Sequence, residues 1–291
     1  MKPAPFKYHD PVTIAEAVDL LAQYDDARAL AGGQSLVPML NFRFVQPGHL
    51  IDLNGIEELN FISRVGADMS FGAMTRQRTL ERSTGVADIA PIIPAALAHV
   101  GHRQTRARGT IGGSLCHFDP SAELCNLAAL FDADLVLARK GGERRVKFAD
   151  FGSGYLSTCV APGELLTQIV LKTWPHGHSF AFEEFAMRHG DFAICAVSCL
   201  TTMRATGEID DIAIAVSGVS PTPVRLRDME AAMRGQKPAH DLFRAAAVKA
   251  GELEAMSDAY VTAAYRQHLA RILTYRALQK ATGREGLEEA A

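Results

Sequence analysis

No uninterrupted apolar stretch of about 20 residues occurs in this chain, which excludes a helix of membrane-spanning length. The N-terminal "MKPAPFKYHDPVT" has neither an apolar core of the secretory type nor a twin-arginine pair, so the cytoplasm is the expected compartment and no membrane insertion is expected. No dense Lys/Arg tract with interleaved aromatics is present and the net charge is -3, so nothing points to nucleic acid. "RQTRAR" (103 to 108) is the single basic cluster, either a solvated loop or a local attraction for phosphate. Cysteine is scarce: Cys116, Cys125, Cys159, Cys195 and Cys199 are scattered and odd in number, which fits reduced thiols rather than a disulfide framework. No CxxC pair exists. Cys195 and Cys199, four apart in a strand-like run, share one face and read as core, not as metal ligands. Low-complexity segments are also missing.

What is present is an ordinary globular composition, 291 residues with 48% hydrophobic and 22% charged content, enough for two domains or three. "TIAEAVDLLAQY" (13 to 24) predicts a helix with Thr13 as N-cap and Glu16 closing a capping box. "ARAL" and "HLIDL" predict strands, and "NFISRVGADMSFGAM" and "DLVLARKGGERRVKF" predict hairpins. Helices are expected at Thr75 to Ser83, at Ala87 to His99 with interruptions at Pro91 and Pro94, and over "SAELCNLAALF"; "ELLTQIVL" is a further strand. From about residue 178 three successive strands predict an antiparallel meander, followed by helices from Leu226 onward. The longest of these carries Val261, Tyr265, Leu269, Ile272 and Leu273 at helical spacing, and the terminal "REGLEEAA" is expected to fray. "KTWPHGH" marks a boundary, giving domains 1–175 and 176–291.

Two glycine pairs stand out. "LAGGQSLVPML" puts Gly32 and Gly33 between a strand and a helix start, and "RGTIGGSLCHFDPSAEL" repeats the design with Gly112 and Gly113. Such pairs allow a turn with positive φ and let backbone N–H groups converge with no side chain in the way, which suits a diphosphate. A nucleotide cofactor is the ligand this implies; plain turns are the alternative. The spacing is not the G-x-G-x-x-G of a dinucleotide fingerprint, the acidic residue expected after a second strand is missing, and no Gly-Lys-Ser/Thr phosphate loop occurs.

"AGGQSLVPMLNFR" and "TIGGSLCHFDPSAEL", followed by "RHGDFAICAVS" (188 to 198) and the helix "AAYRQHLARILTYRAL", resemble in order and spacing the FAD-binding medium subunit of the molybdenum hydroxylases, the carbon monoxide dehydrogenase and xanthine dehydrogenase family. The resemblance covers nearly the whole chain. It implies an α+β fold: an FAD-binding unit of the vanillyl-alcohol-oxidase (PCMH) type with two subdomains, then a C-terminal three-stranded antiparallel sheet with helices. It also implies roles. Backbone groups of Ala31, Gly32, Gly33, Gln34, Ser35 and Leu36 would bind the pyrophosphate together with Thr110, Ile111, Gly113 and Ser114. His117 lies in the same stretch, and Asp119 and Glu123 would lie near the ribose or adenine. Leu165 or Leu166 would pack near the isoalloxazine, with Arg188, Asp191 and Phe192 in the segment passing the ring.

Each assignment has a structural counterpart. Asp119 is placed to cap the following helix and Glu123 to complement its dipole; Leu165 and Leu166 would be core in any protein, Arg188 and Asp191 a surface ion pair, and His117 structural. Tyr155, Phe182 and Phe192 are the aromatics available to shield a flavin. Gln34 is not histidine, so the covalent histidyl-flavin link of some relatives of this fold has no ligand here and FAD is expected to be non-covalent. The four-cysteine insertion of the 4-hydroxybenzoyl-CoA reductase subgroup is missing. By the resemblance, molybdopterin and [2Fe-2S] clusters sit on a large and a small partner, in a dimer of heterotrimers, and this chain transfers electrons, with no catalytic acid or base of its own. The alternative is a self-sufficient FAD-dependent oxidase or reductase of the same fold; a non-catalytic assembly protein is a third possibility. Substrate and final acceptor are not legible.

Overall fold

The computed structural model describes residues 1–284; the rest of the terminal segment expected to fray lies outside them. In chain order the first elements are β1 (Lys7–His9), α1 (Ile14–Gln23), β2 (Ala27–Leu30), α2 (Leu36–Asn41), β3 (His49–Asp52), β4 (Ile62–Val65), β5 (Asp68–Gly72), α3 (Gln77–Arg82), α4 (Thr84–Ile89), α5 (Ile92–Leu97), α6 (Arg103–Arg108), α7 (Ile111–His117) and α8 (Glu123–Leu130). There follow β6 (Asp134–Arg139), β7 (Gly142–Lys147), β8 (Gly152–Gly154), β9 (Ser157–Thr158), β10 (Leu165–Lys172), β11 (Ser179–Ala186), β12 (Ala193–Met203), β13 (Ile209–Ser217), β14 (Val224–Arg225), α9 (Arg227–Met233), α10 (His240–Gly251) and α11 (Ala263–Ala281). Contacts divide the chain into two units, one of Met1–Arg82, His102–Phe118 and Asp132–Lys172, the other of Ser83–Gly101, Asp119–Phe131 and Thr173–Ala291.

The first unit contains a parallel sheet in the order β1-β3-β2 and an antiparallel sheet in the order β4-β5-β10-β6-β7. Its apolar centre joins Ala17 and Val18 of α1 to Ile51, Leu53, Ile56, Leu59, Met74 and Leu165. Thr13 caps α1 by accepting the N–H of Glu16 at 3.2 Å. The reciprocal half of the expected capping box differs: the Glu16 carboxylate accepts from Val12, one residue before the cap, at 2.9 Å. Two expectations are corrected here. "RQTRAR" is the helix α6 and not a loop, with Arg106 holding Glu81 of the α3 end through Nε at 3.0 Å. The second glycine pair lies in the first turn of α7 and not in a loop, and Thr110 caps that helix by accepting the N–H of Gly113.

In the second unit β12 is buried on both faces, which explains why its sequence runs apolar without alternation. Cys195, Val197 and Cys199 belong to one core with Leu269, Leu273 and Ala277 of α11. Burial pushes the Cys195 thiol up to about 12 and Cys199 higher still, so both stay protonated and behave as small apolar side chains. The alternate residues meet α8, whose eight residues are all buried: Asn126 donates to Ser217 Oγ at 2.9 Å and to the Ala196 carbonyl at 3.3 Å, and accepts from Ser198 Oγ. The meander gains a fourth, two-residue strand, in the order β11-β12-β13-β14. Val261 falls outside the long helix, because Thr262 caps it by accepting the Tyr265 N–H at 3.3 Å.

Charges buried in each unit act on backbone as well as on one another. Glu230, 2% exposed, accepts from Arg225 Nε at 2.7 Å and from the Ile214 N–H at 2.8 Å, while Arg225 donates to the carbonyls of Ala129 and Leu130. Glu230→Ala leaves a buried guanidinium and a ladder N–H without their acceptor, so a loss of about 3–5 kcal/mol is expected in denaturant unfolding. In the first unit Arg144 grips Glu164 through two bonds of 2.7 Å and holds its carboxyl below the ordinary value. A depressed acid stabilises the fold above its ordinary titration range and loses that contribution as pH falls through the lowered value. Glu164→Gln should therefore remove part of the acid-limb slope of stability below about pH 4.5, while leaving the neutral-pH slope unchanged.

Candidate functional site

Between the end of β2 and the start of α2 the chain makes a turn that only glycine takes without strain. Gly33 has φ of 75°, in the left-handed region. Gly32 has another reason to be glycine: a Cβ there would lie 2.3 Å from the Arg108 carbonyl oxygen and 2.8 Å from the Gly109 Cα, so the strand-end turn rests directly on the backbone after α6. Gly112 packs in the same way, its missing Cβ falling 2.5 Å from the Cβ of Ala73. Of the four paired glycines only Gly33 has positive φ; the others are required by close approach, or lie in the helical turn of α7.

The hydrogen bonds separate the two pairs further. In the first, acceptors are satisfied and donors are left: Asn54 Nδ2 donates to the Ala31 carbonyl at 3.1 Å, Gln34 Nε2 to the Gly32 carbonyl at 3.2 Å, and the Val37 N–H to the Gly33 carbonyl at 3.1 Å. Among the described residues the N–H groups of Gly33, Gln34 and Ser35 meet no acceptor. In the second, Ile111 N–H donates to the Thr75 carbonyl at 3.1 Å, Gly112 N–H to the Ala73 carbonyl at 2.9 Å and Gly113 N–H to Thr110 Oγ1 at 3.0 Å. Successive free amides make a concavity able to take an anion, so the first pair offers such donors, while the second has its own taken up within the fold.

Gly33 and Gln34 border a cleft of about 350 Å³ lined by residues 30–34, Val37, Pro38, Asp52, Asn54 and Arg108, and Ser35 follows them directly. Arg108 brings a positive charge. Asp52, the acid among the lining residues, accepts from Tyr8 Oη, which pushes that phenol up to about 12, and from the backbone and side chain of Asn54. A diphosphate fits this set: unpaired donors, an exposed guanidinium, and a wall with no Cβ to block approach. Gln34 carries an amide with no nucleophilic ring nitrogen, so it cannot make a histidyl-type bond to a flavin.

The other expected residues are placed as follows. Ser35 precedes α2 without a side-chain cap bond, and Leu36 opens that helix. Ser114 and His117 lie on α7. Leu165 and Leu166 are 5% and 2% exposed in β10, Leu166 paired with Leu137 in the five-stranded sheet. In the second unit, Asp119 does not cap α8; its Oδ1 accepts from Ser121 at 2.9 Å in a turn before that helix, whose cap position is Ala122. Glu123 is buried in the first turn of α8. Among the described residues no ion pair joins Arg188 to Asp191, whose N–H donates to the Arg188 carbonyl at 3.1 Å, and Phe192 is 71% exposed. Tyr155 is exposed and Phe182 lies against His99. Sequence reasoning missed Asn54, Asp52, Tyr8 and Arg76.

Comparison with known proteins accords with the cleft. Residues 4–174 match the model of the FAD binding domain in molybdopterin dehydrogenase, and 180–281 that of the CO dehydrogenase flavoprotein C-terminal domain. The chain belongs to this family of FAD-binding dehydrogenase subunits. Among the relatives of this flavoprotein, the alpha subunit of the 6-hydroxypseudooxynicotine dehydrogenase complex of Paenarthrobacter nicotinovorans is 35% identical over 98% of this chain and 97% of its own. The carbon monoxide dehydrogenase structure from Hydrogenophaga pseudoflava superposes with a TM-score of 0.94 at 35% identity, covering 98% of this chain and 99% of that one. Quinoline 2-oxidoreductase from Pseudomonas putida 86 gives 0.92 at 34%, with the same coverage. The flavoprotein is thus a medium, FAD-carrying subunit of the oxidoreductase kind found in multi-subunit molybdenum hydroxylases. No helix among the described residues is long and apolar enough to cross a membrane.

The two first-pair glycines should fail differently. Gly33→Ala forces an L residue into left-handed backbone and costs about 1–2 kcal/mol. Gly32→Ala drives a methyl into backbone that cannot move aside, so a larger fall in thermal stability of the flavin-free chain is expected.

Proposed function

We propose that this subunit takes electrons from [2Fe-2S] clusters of a small partner and passes them through bound FAD to an external acceptor, within a dimer of heterotrimers whose large partner carries the molybdenum cofactor. The reading is carried by one observation: Gly33 and Gln34, whose amides meet no acceptor among the described residues, border a cleft with Arg108, in a chain that matches FAD subunits over 98% of its length. When bound, FAD supplies a group able to accept and release electrons singly or in pairs, and the protein supplies its binding and orientation. In this reading the amides from Ala31 to Leu36 hold the diphosphate, and Thr110, Ile111, Gly113 and Ser114 border it. Roles for His117, Asp119, Glu123, Leu165, Leu166, Arg188, Asp191 and Phe192 toward the cofactor rest on the family resemblance.

The substrate belongs to the large partner. Relatives at 34–35% identity are named for a hydroxylated nicotine derivative, carbon monoxide and quinoline, so overall likeness does not choose among such substrates. Acid release from the purified chain should yield FAD near one per chain. The isolated subunit should show no bleaching of its flavin with any hydroxylase substrate, and bleaching should appear only after both partners are added back. Substrate-driven bleaching of the chain alone would establish a self-sufficient oxidase or reductase instead.

A further inference from the structure

The two glycine segments are far apart in sequence, yet one chain of side-chain hydrogen bonds ties them together. Asn54 Nδ2 holds the Ala31 carbonyl at 3.1 Å, Arg76 donates to Asn54 Oδ1 at 2.5 Å, and the other terminal nitrogen of Arg76 donates to the Arg108 carbonyl. The Arg76 fork thereby fixes Arg108, a residue of the cleft lining, by its backbone and leaves its exposed side chain without a carboxylate partner among the described residues. We propose that Asn54 is the positioning residue that fixes the start of the turn carrying the Gly33 and Gln34 amides at the cleft, and that Arg108 is the cation that contacts the diphosphate bound there. The inference rests on the flavin reading above.

The geometry gives each residue a distinct task. A peptide plane has a donor and an acceptor on opposite edges, so Asn54 on the Ala31 carbonyl sets the Gly32 amide, and Gln34 on the Gly32 carbonyl sets the Gly33 amide, the first of the free donors. Asn54 is itself held, because Asp52 accepts both its backbone N–H and its side-chain amide, and Tyr8 occupies the other oxygen of Asp52. Burial and the neighbouring Arg108 guanidinium both lower the pKa of Arg76, so two like charges already crowd this corner against a single carboxylate. A dianion between the amides and Arg108 relieves that repulsion, and its attraction is screened by salt.

The test is a flavin-fluorescence titration of the full chain, stripped of cofactor, with FAD at several salt concentrations, alongside thermal unfolding without FAD. Asn54→Leu keeps size but loses the donor, and should weaken FAD about 10-fold while keeping the wild-type salt dependence. Arg108→Gln should weaken FAD by about 10-fold at low salt and flatten the salt dependence, and Arg108→Lys should restore most of it. Arg108 is exposed, so its variants should unfold at the wild-type temperature. Wild-type chain that binds FAD, with either Asn54→Leu or Arg108→Gln binding it equally tightly and with the same salt slope, overturns this inference and leaves the flavin reading standing. Wild-type chain that takes no FAD removes both.

Discussion

The missing Cβ at Gly32 is the constraint on which the cleft depends. With that atom present, the turn after β2 and the backbone after α6 could not approach to the distance at which Arg76 and Asn54 bridge them. Remove the approach and the Arg76 bridge from Asn54 to the Arg108 carbonyl loses its geometry, and the segment carrying Arg108 loses that support. A packing fact at one residue thus governs an electrostatic fact at several others. The segment that ends at Arg108 is itself anchored: Arg106 and Arg78 both hold Glu81, joining α6 to α3.

The second unit uses arginine in a related way, with the guanidinium serving carbonyls as much as carboxylates. Arg266, 7% exposed, donates to the carbonyls of Ile194 and Gly218 and pairs with Asp258, tying α11 to the ends of two strands. Arg225 does the same for the end of α8. A planar fork with five donors spread over three nitrogens holds two carbonyls and one carboxylate at fixed, separated directions, where a lysine offers three donors from a single atom. The helices are therefore fixed to the sheet by directional contacts as well as by the apolar core of β12 and α11.

Much of this was legible in the sequence, and the failures share a cause. Hairpins with Gly66 or Gly141 in the turn, the helix capped by Thr13 and the antiparallel meander follow from period and punctuation, which are local signals. At the α7 start Gly-Gly suggests a loop, whereas Thr110 caps a helix whose Gly112 is needed for contact with Ala73. Spacing alone places Val261 on the long helix, although Thr262 ends the extended segment before it. Asn54, Asp52, Arg76 and Tyr8 were invisible because they act through tertiary hydrogen bonds between distant segments, and no periodicity records those. Arg108 is half visible, as an exposed member of a basic cluster whose buried member, Arg106, is structural.

The mismatch with the dinucleotide fingerprint also has a physical resolution. In a G-x-G-x-x-G loop three glycines within six residues provide a tight turn, close approach of backbone to the diphosphate, and helix packing. Here the same requirements are divided over two segments: Gly33 supplies the turn and Gly112 the packing against Ala73. The three amides that follow Gly32 remain free for an anion, while those of α7 are taken up by Thr75, Ala73 and Thr110. Splitting the requirements places them under different constraints. Donors that are to take an anion must stay unsatisfied until a ligand arrives, whereas a supporting segment is held best with every donor satisfied. A single short loop must meet both demands with the same few residues; two segments joined by Arg76 and Asn54 meet them separately.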